Sequence, residues 1–211
     1  MKKSILYSIV VLTFVLTFVS IKVHMHGGLI RHSALENINH TSEDVKSNIG
    51  GPFTLVDHKG HIVTHTDFSG RYILVYFGYT FCPDICPTAL QTMMNAYDQL
   101  LPEWQTRITP LFITVDPERD TVEQMRDYVT AFHHALIGLT GTLEQTTAAA
   151  KMYKVFFAKV WPEEDRSYYL VDHSSIIYLM DPQGHYYTHF SHGISAEALL
   201  IRLKSLPWPM G

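Results

Sequence analysis

The chain has 211 residues, a formal net charge of −4 and only two cysteines. That length supports one well-buried domain once a short N-terminal segment is set aside. The mildly acidic balance argues against nucleic-acid binding, two cysteines cannot build a disulfide framework, and an apolar content of 46% belongs to a folded protein rather than a disordered one.

Lys2 and Lys3 precede an apolar run from Ile5 to Ile21. Extended by Val23 and Met25, the run approaches the length of a spanning helix. Its flank, Ser20 to His26, lacks a small-residue cleavage site. Residues 1–26 therefore read as a membrane anchor or an uncleaved signal. The positive-inside rule keeps Lys2 and Lys3 in the cytoplasm and sends the rest of the chain across. A bacterial inner-membrane protein facing the periplasm is the simplest outcome. The segment is neither Arg-rich nor amphipathic, which argues against a mitochondrial transit peptide. His24 and His26 flank Met25, and this reads as interfacial residues at a helix end before it reads as a copper-collecting site. Residues 27–50 are polar and irregular, and form a tether.

Residues 51–211 form the domain. Phe53–Val56 and His61–Thr64, joined by Asp57-His-Lys-Gly60, read as a hairpin. Tyr72–Phe77 is continuously apolar, as expected of a strand covered on both faces. It runs into Tyr79-Thr-Phe-Cys82-Pro-Asp-Ile-Cys86-Pro87 and a helix from about Cys86 to Leu100. Leu90, Met93, Met94 and Tyr97 recur there at helical spacing and read as core; thioether ligation by the methionines is the lesser alternative.

Thr109–Val115 is a second buried strand. The loop Asp116–Thr121 caps the next helix, Val122–His133. Asp116 and Glu118 lie at a strand's carboxyl end, where α/β sites cluster, but they read first as a capping and salt-bridge loop. His133 and His134 suit the end of the helix dipole and receive no role. A short strand, Leu136–Leu139, and a helix, Thr142–Phe156, follow. Phe157–Tyr168 reads as a polar loop long enough to move over a site. Ser175–Met180 is a strand, Asp181-Pro-Gln-Gly184 a turn, and His185–Phe190 the return strand. Ser195 caps a last helix, Ala196–Leu206. The order of elements predicts an α/β, thioredoxin-like fold with an N-terminal β-hairpin, preceded by a single N-terminal transmembrane helix.

The chemistry concentrates at the two cysteines. A strand that delivers thiols to a helix start favours thiolate, through unpaired N–H groups and the helix dipole. In a helical first turn, Cys82 and Cys86 would share one face. Their spacing is one residue wider than the Cys-x-x-Cys redox pair, which suits a soft metal such as Cu(I). A disulfide is also compatible, because helical Cα separations of roughly 6 Å lie in the bridging range; a purely stabilising bridge across so short a loop would contribute little. A Cu(II) form needs an imidazole as well. Among 13 histidines, His173 stands out, because it precedes a buried strand and follows Asp172, which can orient the ring. A structural histidine at a strand edge is the alternative. His185, His189 and His192 are rivals.

Three stretches carry a resemblance: Tyr76-Phe-Gly-Tyr-Thr-Phe-Cys-Pro-Asp-Ile-Cys-Pro87, Phe112-Ile-Thr-Val-Asp-Pro-Glu-Arg-Asp-Thr121 and Val171-Asp-His-Ser-Ser-Ile-Ile-Tyr-Leu-Met-Asp-Pro182. In their order and spacing the chain resembles the Sco/SenC family of copper proteins from about Gly51 to Leu206. The resemblance implies one copper per chain, Cu(I) or Cu(II), on Cys82, Cys86 and His173, with Asp84 and Asp172 around them. It implies a metallochaperone that assists assembly of the Cu-A centre of cytochrome c oxidase, by delivering copper or by keeping client thiols reduced. The implied partners are oxidase subunit II, a thioredoxin-like reductant, a copper-donating chaperone and the membrane. Many family members carry a histidine before the first cysteine, where this chain has Phe81.

A thiol–disulfide oxidoreductase or thiol peroxidase and a copper or redox sensor are the competing functions. Thioredoxin-like reductases place a proline before the strand that faces the cysteine pair, and Val171–Ser175 contains none. Peroxidase sites want a threonine three residues before the nucleophile, where this chain has Tyr79 and Pro83.

Overall fold

A computed structural model describes residues 48–208. The expected anchor and most of the tether lie outside these residues. Among the described residues no helix is long and apolar enough to cross a membrane.

The N-terminal hairpin forms from β1 (Thr54–Asp57) and β2 (Ile62–Thr64). Its turn is closed by the Asp57 carboxylate, which accepts the N–H groups of Lys59 and His61, each at 2.8 Å. The continuous apolar runs become β3 (Tyr72–Gly78) and β4 (Ile108–Thr114), and every residue of both is buried. They pair in parallel with each other, and β4 pairs in parallel with β5 (Ile137–Thr140). Pro110 lies in the part of β4 that has a partner on one side only, ahead of the first β5 pair at Leu111. A missing N–H is tolerated there.

The helices are α1 (Ile85–Asp98), α2 (Pro102–Gln105), α3 (Val122–Phe132), α4 (Leu143–Met152) and α5 (Ala196–Lys204). α1 packs against α3 and α5, and α4 packs against β1. Met93 and Met94 are buried in the core, as the helical stripe implies. With β8 (Ile176–Met180) and β9 (Tyr186–Ser191), a seven-stranded sheet runs in the order β2-β1-β5-β4-β3-β8-β9. β3 therefore sits between a parallel and an antiparallel neighbour near the middle of the sheet. It delivers the cysteine loop from the most constrained strand available.

Three elements depart from the sequence reading. α2 is an additional short helix, begun by Pro102 at its first position. α4 ends at Met152, before the expected Phe156, because Lys154 takes a left-handed φ of 57°. The chain after that break is a strand rather than a mobile loop. β6 (Phe157–Val160) pairs antiparallel with β7 (Leu170–His173) as a separate two-stranded ribbon. Only residues 161–169 remain as its connection.

Candidate metal centre

The site begins where β3 ends. Gly78 is the last strand residue, and a Cβ there would lie 2.8 Å from the Cys86 sulfur and 2.9 Å from the Phe112 ring. Glycine is required because the buried thiol occupies the space a side chain would take. The chain then turns through Thr80 and Phe81, with the Cys82 N–H donating to the Tyr79 carbonyl at 3.3 Å. Cys82 precedes the helix instead of sharing its first turn, as the spacing argument expected. Asp84 is the N-cap, without a side-chain capping bond, and Cys86 is the second helical residue. The sulfur of Cys82 fills the missing role: it accepts the Cys86 N–H at 3.4 Å. A helix end with an unmet donor thus receives a sulfur acceptor, and the sulfur is drawn toward the thiolate.

His173 arrives from the other sheet, at the end of β7. Its Nε2 lies 3.3 Å from the Cys86 sulfur, and its Nδ1 lies 3.3 Å from the Ser174 carbonyl. A carbonyl only accepts, so the tautomer with its proton on Nδ1 is the one that turns the Nε2 lone pair to the sulfurs, as a metal ligand requires. The orienting partner is this carbonyl. Asp172 is exposed and lines the cleft. The rings of Tyr76 and Tyr79 meet the imidazole edge-on, at centroid distances of 6.1 and 6.0 Å. Cys82, Cys86 and His173 offer three ligand atoms, all within 4.8 Å of one another.

The two thiols are free and chemically unequal. Cys86 is fully buried and Cys82 half-buried. The neighbouring Cys86 thiol drives the Cys82 pKa down to about 3, against the opposing cost of burial and helped by His173 and by the backbone N–H groups of Cys86 and Asp84. The neighbouring Cys82 sulfur, followed by burial, pushes Cys86 far above an ordinary thiol. The pair thus holds one proton between two sulfurs.

Cys82 and His173 open onto a cleft of about 400 Å³ lined also by Tyr79, Asp84, Val160 and Asp172. Phe81 stands exposed beside it, with the Arg119 guanidinium 4.9 Å from its ring centroid. The same guanidinium lies 3.7 Å from the Tyr169 centroid and donates to the Tyr169 carbonyl at 2.9 Å. Asp116 binds Arg119 and the Tyr169 hydroxyl, while Glu118 pairs with Lys159. These carboxylates brace the cysteine loop against the ribbon, as a salt-bridge loop, and stand outside the ligand cluster. Arg119 was missed from the sequence; its alternation with distant aromatics gives no local signal. The rival histidines lie elsewhere: His185 beside Asp181, His189 against the Tyr186 hydroxyl, and His192 in a separate cavity of about 170 Å³.

Two outcomes test this geometry. Because the Cys82 pKa lies below the ordinary range, its thiolate is fully formed at neutral pH and is lost only on acidification toward about 3. Alkylation with iodoacetamide followed by peptide mapping should label Cys82 well into the acidic range and leave Cys86 unlabelled in the folded chain. Equal labelling of both, or labelling that fades near the ordinary thiol pKa of about 8.5, contradicts it. Gly78→Ala should cost about 1–3 kcal/mol of stability by overpacking and should raise Cys86 reactivity; thermal melts and the same mapping read both.

A profile of the SCO1/SenC family matches residues 41–207. The chain is 42% identical over 160 residues to an SCO2-like protein of Rickettsia prowazekii, a match spanning 76% of this chain and 78% of that protein. It is 42% identical over 150 residues to the human mitochondrial protein SCO1 homolog, spanning 69% of this chain and 48% of the relative. The chain therefore aligns with about half the length of that mitochondrial relative. Among solved structures, Arabidopsis thaliana ScoI with copper bound superimposes with a TM-score of 0.69 at 40% identity, covering 74% of this chain and 96% of the other. Yeast Sco1 with copper bound gives 0.66 at 36% identity, covering 75% and 91%. The fold is that of these proteins, and the chain belongs to the SCO1/SenC family.

Proposed function

We propose that this chain is a membrane-anchored copper-binding protein whose domain faces the periplasm of a bacterium and assists assembly of the Cu-A centre of cytochrome c oxidase. The observation that carries the reading is the convergence of Cys82 and Cys86, from the loop and helix that follow β3, with His173, from the two-stranded ribbon, on one point. Similarity to Sco structures that hold copper supports it, and the apolar run Ile5–Ile21 behind Lys2 and Lys3 supports the anchor and its orientation.

The residues fit copper. Two sulfurs and an imidazole are the soft and borderline donors that Cu(I) and Cu(II) take. Once its proton leaves, the buried Cys86 thiolate needs a cation beside it. Cys86 holds the deep end, backed by Gly78 and α1. Cys82 sits at the cleft mouth, where an incoming donor or a client can reach it. His173 closes the third side, with the Ser174 carbonyl placed to accept an Nδ1 proton when Nε2 takes the metal. Tyr76 and Tyr79 pack around the imidazole and limit water. Asp84 and Asp172 add negative charge at the rim. Copper held there is the cargo, passed on to thiolates of the client.

A second reading draws on one observation. A low-pKa, half-buried Cys82 next to a fully buried Cys86 is also the arrangement of an attacking and a resolving thiol. Such a pair would reduce a disulfide in the client before copper arrives.

The test uses the full-length chain, solubilised in detergent and reduced. It should take up one copper per chain and show thiolate-to-copper absorption with Cu(II). The Cys82→Ser, Cys86→Ser double variant should bind none, and His173→Ala should retain Cu(I) while losing the Cu(II) spectrum. Full copper binding by the double variant overturns the proposal. Reduction of a peptide disulfide that proceeds at the same rate with and without copper favours the second reading.

A further inference from the structure

Asp120 is fully buried, and among the described residues it forms no ion pair. Burial pushes its pKa up, opposed by bonds from Thr114 and Thr80. An unpaired buried carboxylate is costly, and its partners show what it secures. It accepts the Thr80 N–H at 3.1 and 3.3 Å and the Thr80 hydroxyl at 2.7 Å. It also accepts the Thr114 hydroxyl at 2.5 Å, and that hydroxyl in turn accepts the Asp116 N–H at 2.8 Å. The main-chain carbonyl of Asp120 accepts the Thr140 hydroxyl at 2.7 Å. One residue thus ties the chain leaving β3 to the last residues of β4 and β5.

Thr80 lies two residues before Cys82. Cys86 is placed by other means, through α1 and the space left by Gly78. The tie therefore acts on one sulfur and leaves the other alone. We propose that Asp120 is a positioning residue of the metal centre: its carboxylate, acting through Thr80, fixes the Cys82 sulfur against Cys86 and His173, and so sets copper affinity and the reduction potential of the thiol pair. The proposal rests on the copper reading above. Its chemistry is specific to a carboxylate. Asparagine has the same shape but turns an N–H₂ group toward one of the donating hydroxyls, Thr80 or Thr114.

The test compares Asp120→Asn, Thr80→Val, Thr80→Ser and Thr140→Val in the full-length chain. Three quantities are read: the Cu(II) thiolate absorption, the Cu(I) affinity in competition with a chromophoric chelator, and the thiol-pair potential in a glutathione redox buffer without metal. Asp120→Asn and Thr80→Val should shift the absorption, weaken Cu(I) by at least about tenfold and shift the potential. Thr80→Ser keeps the hydroxyl and should restore wild-type values. Thr140→Val removes a bond to the same residue without touching its carboxylate, and should lower the melting temperature only. Wild-type spectrum, affinity and potential in Thr80→Val would overturn the proposal, as would the same changes in Thr140→Val. If Asp120→Asn does not fold, the Thr80 pair decides. Should the wild-type chain take up no copper on its cysteines, the copper reading fails and the metal-free potentials still judge Asp120.

Discussion

The pairing of one thiolate, Cys82, with one buried thiol, Cys86, is the constraint on which this site depends. Cys86 is sealed in the core, where a second negative charge beside the Cys82 thiolate has no lysine or arginine to offset it among the contacts described. A single proton between the sulfurs satisfies the pair in the absence of metal. A soft cation in the same place would satisfy it better, since Cys82, Cys86 and the Nε2 of His173 are the donors that would hold it. The surrounding construction serves this exchange. Gly78 makes room for the buried sulfur, the α1 N-terminus donates to the outer one, and the Ser174 carbonyl keeps the imidazole facing both.

The two halves of the site come from different sheets, so their alignment needs its own bracing. The cysteines ride on β3 and α1 of the seven-stranded sheet, and His173 rides on the ribbon. Arg119 spans the gap: it binds Asp116 at the end of β4, the Tyr169 carbonyl before β7, and the faces of Phe81 and Tyr169. The Phe81 ring covers the Arg119 guanidinium beside the cysteine loop.

The fold was legible wherever hydrophobic period and turn chemistry agree. Tyr72–Phe77 and Thr109–Val115 are apolar without a break, and both became fully buried central strands with ends within one residue of expectation. The stretch Lys154–Val160 misled because a left-handed Lys154 ends α4 without a glycine to announce it, and because a two-stranded ribbon needs only a short apolar run. At the site, the spacing of Cys82 and Cys86 put the two sulfurs close together, but did not reveal that one lies outside the helix and serves as its cap. His173 was chosen by its sequence neighbours, and the structure brings it to the sulfurs. Asp120 and Arg119 were invisible as site-bracing residues, because their partners lie 40 and 50 positions away, and long-range pairing leaves no local trace.

The most direct test of the shared-proton account is the number of protons released when reduced, metal-free protein takes up Cu(I), supplied as a weak complex of an aprotic ligand and followed by pH-stat at neutral pH. The account predicts release of about one proton per copper bound, since the pair already exists as a monoanion. Release of about two would mean that both thiols start protonated, and release of none would mean that the copper sits elsewhere; either result contradicts it.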